Sequence, residues 1–160
     1  MKSNDDSNTN NSSMRKIKKE LMRKFPMTSK IELKIEALVN PSESRDKVIA
    51  AITNVIDKCS PEISYNSRVV ARSNKTDSLN TIYQQIRSRS AAGVLRRMLT
   101  YNRITNATWF LLNKQAAAVG IVAVIEEENE SPLGPLRITI VCDELDVLIN
   151  WLAPIYFTDN

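Results

Sequence analysis

Residues 30–39 alternate apolar and charged side chains almost without exception, reading Lys-Ile-Glu-Leu-Lys-Ile-Glu-Ala-Leu-Val. A period of two is typical of a β-strand with one face in the core and the other in water. Residues 136–141 alternate in the same way. A strand covered on both faces would be apolar throughout, so these two segments predict a sheet that is buried on one face only.

The segments between these strands favour helices. Asn40 is a candidate N-cap with Pro41 at the first helical position, ahead of an apolar face formed by Val48, Ile49, Ile52, Val55 and Ile56. A second helical stretch opens at Asp77 or Ser78. Its two apolar sets are rotated by more than a quarter turn from each other, so one straight helix would not bury both. We therefore predict a break between Ser88 and Ala92.

Three further strands are predicted over residues 63–72, 108–113 and 119–126, and Asp143 is a candidate cap for a last helix with Leu145, Leu148, Ile149 and Leu152 on one face. The order is β-α-β-α-α-β-β-β-α. Helices separate the early strands and the last three strands follow one another. This order predicts an α+β fold, with a largely antiparallel sheet and helices packed on one of its faces.

A chain of 160 residues fits one domain. Residues 1–13 are polar and of low complexity, which predicts a disordered tail. Residues 14–29 carry a basic amphipathic extension, and residues 30–155 form the single predicted α+β domain. No apolar run reaches the ~18 residues of a membrane span, and the N-terminus lacks the apolar region of a signal peptide. These features predict a cytoplasmic protein without membrane contact.

Several kinds of chemistry have no suitable residues here. The chain contains no histidine, so Ser-His and Cys-His arrangements are excluded. Its two cysteines, Cys59 and Cys142, match no metal spacing and are predicted to be buried thiols. Three glycines are too few for a phosphate-binding loop. We predict no catalytic motif, metal or cofactor, and only carboxylate acid–base chemistry stays open.

Charge is distributed unevenly along the chain. Residues 1–114 hold 21 Lys and Arg against 10 Asp and Glu, whereas residues 115–160 hold one against eight. No acidic residue lies between Asp77 and Glu126, so this tract predicts a surface that faces a polyanion. The alternative is that the basic half neutralises the acidic half inside the folded domain.

The best candidate RNA surface lies in the acid-free tract and consists of Arg87, Arg89, Arg96, Arg97, Arg103, Lys114 and Gln115. Arg89, Arg96 and Arg103 are seven residues apart, so on one helix they would point to solvent together. The guanidinium group suits phosphate because it donates two parallel hydrogen bonds. Tyr101 and Trp109 are candidates for stacking on bases, although Trp109 also fits a core position.

Lys114 and Gln115 fall at the junction of two predicted strands. A solvated Lys114 would hold a phosphate, and Gln115 would bond a base edge or a ribose. A structural role is the alternative, in which Asn113 and Gln115 cap a bulge and the alanines that follow permit close packing. The acidic residues Glu126, Glu127, Glu128 and Glu130 are predicted to form a solvated turn.

One family resemblance covers most of the chain, from Ile31 to Pro154. It is carried most strongly by the run Phe110-Leu111-Leu112-Asn113-Lys114-Gln115-Ala116-Ala117 with Gly120, and also by Ala37–Glu43, Ile86–Arg97, Pro132–Pro135 and Ile149–Pro154. These segments resemble a family of uncharacterised archaeal proteins that are predicted to bind RNA or to associate with the exosome. Asn150 departs from the family pattern, in which an aspartate is usual.

The resemblance implies a fold similar to that of the fifth protein of the large ribosomal subunit, and RNA as the partner. We therefore predict a non-catalytic RNA-binding protein, acting in RNA processing or ribosome-related work and contacting phosphates through an arginine-rich helix. The alternative function is a protein-interaction module of a larger complex without direct RNA contact. Membership of an RNA-processing complex and homo-oligomerisation both stay open.

Overall fold

One antiparallel sheet contains all the strands of the described chain, which comprises residues 30–65 and 67–155 of a computed structural model. The strands lie side by side in the order β2-β3-β1-β6-β4-β5, so β1 and β6 occupy the centre. Their bounds are β1 Ile31–Leu38, β2 Glu62–Ser64, β3 Arg68–Ser73, β4 Ala107–Leu112, β5 Val124–Ile125 and β6 Leu136–Cys142.

The register aligns apolar residues of neighbouring strands on one face. Ile35 of β1 pairs with Ile138 of β6 and with Ala71 of β3, and Phe110 of β4 pairs with Ile138. All four side chains are buried. The residues between them on β1 are charged and point to the opposite face, as the alternation over 30–39 predicts.

Helices cover the apolar face. They are α1 Arg45–Val55, α2 Asn80–Ser88, α3 Ala92–Tyr101, α4 Lys114–Ala118 and α5 Leu145–Leu152, with 3-10 turns at Thr76–Leu79 and Glu128–Glu130. Ile52, Ile86, Leu95 and Leu148 join the inward-facing strand residues in one core. The predicted α+β class with a largely antiparallel sheet is therefore confirmed.

The predicted break after α2 is confirmed. The chain turns at Ser90, which has a positive φ of 55°, before α3 begins at Ala92. This turn lets α2 bury Ile82 and Ile86 while α3 buries Leu95. Each helix can therefore direct its own apolar set at the sheet.

Two predicted strands are wrong in extent. Residues 63–72 form a hairpin of two strands, β2 and β3, because the chain reverses at Ser67 with a φ of 56°. Of residues 119–126 only Val124–Ile125 is a strand, since Val119 and Gly120 form the turn that ends α4.

The predicted caps of the first and last helices are also displaced. Ser44 rather than Asn40 precedes α1, and Glu144 rather than Asp143 precedes α5. Cys142 is buried as predicted and Cys59 is half-buried, and both are free thiols. None of the described helices is long and apolar enough to cross a membrane. The predicted segments 1–13 and 14–29 lie outside the described residues.

Candidate nucleic-acid interface

Helix α3 carries part of the basic tract on an exposed face. Its inner face buries Ala92, Leu95, Met98 and Leu99 against the core. Its outer face bears a shallow groove of about 480 Å³ lined by Gly93, Arg96, Arg97, Thr100 and Tyr101. None of these residues is acidic, so the groove itself suits a polyanion.

The groove owes its shape to residues one helical turn apart. Gly93, Arg97 and Tyr101 follow at intervals of four, which aligns them on one side of α3. Nothing lies within 4 Å of where a side chain on Gly93 would begin, so the backbone is open there. The Tyr101 side chain is 86% exposed, and its ring is available to stack on a base.

The predicted stripe of Arg89, Arg96 and Arg103 is wrong. Arg89 follows α2 as its C-cap residue, and Arg103 comes after the Asn102 cap of α3. Only Arg96 belongs to α3. The three arginines therefore do not share a helix, because the tract is broken before Ala92 and α3 ends at Tyr101.

Two of the candidate arginines hold the end of α5. Arg87 donates to Trp151 O at 2.6 Å and lies over the Tyr83 ring, 3.4 Å from its centroid. Arg96 donates to Ala153 O at 3.1 Å. Cations at the free carbonyls of a helix C-terminus are stabilising, which gives both residues a structural role. Trp151 is half-buried and stacks on Tyr83, with 4.6 Å between the ring centroids.

Two others form exposed ion pairs with the acidic third of the chain. Arg97 pairs with Glu126, and Arg103 pairs with Asp146. The hydrogen bond from Arg103 lowers the pKa of Asp146. Exposed pairs of this kind are screened by water and add little stability, so a phosphate can replace either carboxylate. The Arg89 backbone N–H donates to Gln85 O at 3.0 Å, but its side chain is exposed and forms no hydrogen bond or ion pair with the described residues.

Lys114 is not solvated, which corrects the prediction that it offers a free charge. Its side chain is 3% exposed. Its Nζ donates to Leu38 O at 2.9 Å, to Glu43 Oε1 at 2.7 Å and to Leu133 O at 2.5 Å. An ammonium has three donors, and all three are used within the protein.

Asn40 and Glu43 complete the network around this lysine. Asn40 Nδ2 donates to Glu43 Oε1 at 2.6 Å and to Leu133 O at 2.7 Å. Burial acts to raise the pKa of Glu43, but hydrogen bonds from Lys114 and Asn40 outweigh it and hold the pKa below its usual value. The network joins the end of β1, the start of α4 and the loop before β6.

The NKQAAA run forms the short helix α4 rather than a bulge between strands. The Asn113 side chain accepts from Ala116 N at 2.9 Å and so caps the helix. Gly120 takes a φ of 81° in the turn that follows, a conformation that suits glycine. Gln115 is exposed, and its Oε1 accepts from Ser131 Oγ at 3.2 Å.

The sheet face opposite the helices carries Trp109 among charged side chains. Trp109 is half-buried there, and the Arg137 guanidinium lies 4.2 Å from its ring centroid. Glu36 forms ion pairs with Lys34 and Arg68 on the same face. Trp109 therefore packs under a cation and is less available for stacking than Tyr101.

The acidic turn has its own structure. Glu127 and Glu130 form reciprocal bonds around the 3-10 turn Glu128–Glu130. Across residues 30–65 and 67–155 no group of three or more acidic or cysteine side chains could hold a metal ion.

Sequence reasoning missed Gly93, Glu43 and Asn40. Gly93 is one of three glycines in the chain and lies inside a helical pattern, which was a signal for a close approach to the backbone. Asn40 and Glu43 had the spacing of a helix cap, and the structure uses that spacing for a turn in which Asn40 N donates to Glu43 Oε1.

The fold and surface define a small α+β domain with a basic helical groove, and comparisons with known proteins agree with this class. The model of a family described as RNA binding matches residues 32–142. A UPF0201 protein from Sulfurisphaera tokodaii is 42% identical over 123 residues, covering 75% of this chain and 85% of that protein. Another from Methanothermobacter thermautotrophicus is 34% identical, covering 77% and 91%.

The chain belongs to the archaeal UPF0201 family, which confirms the predicted resemblance. Among solved structures, a UPF0201 protein from Methanococcus jannaschii is 31% identical and superposes with a TM-score of 0.66 over 79% of this chain and 95% of its own. A second UPF0201 structure gives a TM-score of 0.68 at 25% identity, covering 78% and 94%. The predicted exosome association and likeness to a ribosomal protein stay predictions.

Proposed function

We propose that this protein binds RNA without catalysis, through the groove on α3. The observation that carries the proposal is the meeting of an exposed Tyr101 with Arg97 on a surface whose lining contains no carboxylate. Membership of a family whose model is described as RNA binding supports RNA as the polyanion.

The RNA contacts the groove in two ways, by stacking of a base and by ion pairs with phosphates. A base stacks on the Tyr101 ring, next to the open backbone of Gly93. Arg97 and Arg103 exchange their exposed carboxylate partners for phosphates, and Arg89 adds a third guanidinium. Lys114 takes no part because its ammonium is buried and fully bonded. Arg87 and Arg96 act indirectly by holding α5 against α2 and α3.

Single-stranded RNA fits this surface better than a duplex. Recognition by stacking needs an unpaired base, whereas bases in a duplex already stack on each other. Each base stacked on an aromatic side chain is worth about 1–3 kcal/mol by alanine substitution. Because the charge contribution comes from a few exposed arginines, the affinity is expected to be modest and to depend on salt.

Fluorescence anisotropy with a labelled single strand of mixed sequence tests the proposal. The double substitution Arg97→Ala and Tyr101→Ala should weaken binding about tenfold or more, since it removes one stacking partner and one cation. A matched control is Arg68→Ala with Tyr65→Ala, which removes the same residue types from the β2–β3 hairpin, where both are exposed.

Intact protein that fails to bind RNA at low salt overturns the proposal. If the control pair loses as much RNA affinity as Arg97→Ala with Tyr101→Ala, the RNA-binding surface includes the β2–β3 hairpin, and this result also contradicts the proposal.

A further inference from the structure

A second concavity of about 300 Å³ lies between the start of α1 and α4. Its apolar wall is formed by Val48, Ala118 and Leu133, and its polar groups include Glu43, Lys47 and Gln115. It shares no residue with the α3 groove. Its volume is at the lower end of small-molecule sites, so it suits one small planar group with apolar faces.

The carboxylate of Glu43 is anchored through one oxygen and leaves the other unused. Asn40 N, Asn40 Nδ2 and Lys114 Nζ all donate to Oε1, at 3.2, 2.6 and 2.7 Å. No described residue donates to Oε2. The Glu43 side chain is only 11% exposed, and the cavity is where a ligand reaches it. A carboxylate held by three donors therefore lines this space.

Gln115 supplies the complementary donor. Its amide lies 3.2 Å from Ser131 Oγ, whose single hydrogen also has Gly134 O as an acceptor at 2.8 Å, so the amide can turn its Nε2 hydrogens toward a ligand. Nothing in the described chain accepts from this Nε2. The cavity thus offers one fixed acceptor and one amide donor beside an apolar wall.

The bonding of Lys114 shows whether the cavity suits a phosphate or a base. Lys114 lines the cavity, but its three N–H donors bond to Leu38 O, Glu43 Oε1 and Leu133 O. A phosphate in this cavity would be repelled by the Glu43 carboxylate, and no free cation inside the cavity would offset that repulsion. Only Lys47, which is exposed, remains for a phosphate outside. The charge inside the cavity therefore favours a neutral group with N–H donors.

We infer that this cavity binds an unpaired guanine of the RNA, with Glu43 Oε2 accepting from the N1–H and N2–H groups and Gln115 Nε2 donating to O6. Unpaired bases are read on this Watson–Crick edge. The apolar wall contacts the base faces, and Lys47 meets the attached phosphate. The inference rests on the proposed function, since it names the base that the RNA presents away from the α3 groove.

The other bases match this pair of groups less well. Uracil has a single N–H between two carbonyl oxygens, and one of these would face the Glu43 carboxylate. Adenine and cytosine each offer one amino group, with no second N–H beside it for the same oxygen. Guanine alone presents two adjacent N–H donors next to a carbonyl. The cavity should therefore bind guanine clearly more tightly than the other three bases.

Titration of the intact chain with guanosine 5′-monophosphate, followed by NMR of the backbone amides, tests the inference. Shifts should centre on Gln115 and Ala118, and the other three monophosphates should bind about tenfold or more weakly. Gln115→Glu should weaken guanosine monophosphate binding by a similar factor, because a carboxylate there repels O6 while the exposed side chain leaves the fold intact. Ala118→Leu should reduce binding by filling the cavity.

Two controls separate this inference from the proposed function. Arg97→Ala with Tyr101→Ala should bind guanosine monophosphate like the intact chain, although it loses affinity for RNA. If that pair does not weaken RNA binding, the proposal that RNA binds in the α3 groove is wrong, but the guanine site is not affected. Absence of shifts at the cavity, equal binding of the four monophosphates or an unchanged affinity in Gln115→Glu would each overturn the guanine site.

Discussion

Replacing Lys114 with methionine measures how much the buried ion pair between Lys114 and Glu43 contributes to stability. The substitution keeps an unbranched side chain of similar length and removes the ammonium together with its bonds to Leu38 O, Glu43 Oε1 and Leu133 O. Breaking one partner of a buried pair costs about 3–5 kcal/mol, because the other charge stays buried without its counter-ion. Side-chain exposures of 3% for Lys114 and 11% for Glu43 leave little room for solvent to reduce this cost.

The loss should lie near the lower end, about 3 kcal/mol, because Glu43 keeps its bonds from Asn40 and its Oε2 faces a cavity that admits water. It should also depend on pH. The folded pKa of Glu43 lies below its ordinary value, so its contribution to stability is present above the unfolded pKa of about 4.3 and is lost as pH falls through the folded value.

Urea unfolding of the intact chain and of Lys114→Met, at neutral pH and again at acidic pH, measures both effects. The free-energy difference should be largest at neutral pH and should shrink where Glu43 is protonated. Lys47→Met provides a matched control, because Lys47 is exposed and its replacement should change stability by no more than about 0.5 kcal/mol. A difference of less than about 1 kcal/mol for Lys114→Met at neutral pH would refute the reasoning.

Five further substitutions test three local features of the fold by thermal or urea unfolding. Asn113→Ala should cost about 1 kcal/mol because Ala116 N loses its cap, and an unchanged stability would contradict the capping role. Gly93→Ala should stabilise the protein by about 0.5–1 kcal/mol, since Gly93 lies inside α3 with open space around it. Gly120→Ala should destabilise the protein, because the φ of Gly120 is 81°. Arg87→Ala should cost about 1–3 kcal/mol through its bond to Trp151 O and its contact with Tyr83, while Arg89→Ala should cost almost nothing; equal effects would be inconsistent with the structure.

Strands β1 and β6 were predictable because alternation depends only on neighbouring residues. Ile35 and Ile138 point inward wherever the two strands are paired, and the sequence pattern contains that information. The break at Ser90 was predictable for a similar reason, since the rotation between two apolar sets is a local property of a helix.

Helix α4 escaped prediction because five residues are too few for a periodic pattern. The alanines gave no contrast between an apolar and a polar side, so the run was assigned to a junction between strands. Asn113 as a cap and Gly120 in the turn afterwards were the available signals. Together they mark the start and the end of a single helical turn.

The partners of the charged residues were not accessible from sequence, because they are distant along the chain. Lys114 meets Leu38 and Glu43, which are 76 and 71 residues away, and Arg103 meets Asp146 across 43 residues. These pairs, together with Arg97 and Glu126, show that part of the basic tract does neutralise the acidic third, as the alternative interpretation held. The charge asymmetry therefore overstated the number of free cations.

The salt dependence of RNA binding shows whether the exposed arginines Arg89, Arg97 and Arg103 hold phosphates. If Arg89, Arg97 and Arg103 contact phosphates of a single strand, they should contribute about −2 to the slope of log affinity against log salt, from about 0.7 per contact. Replacing all three with alanine should remove that contribution and leave weaker binding that depends on Tyr101. A slope that is unchanged by the triple substitution would contradict the account, because the phosphates would then be held elsewhere.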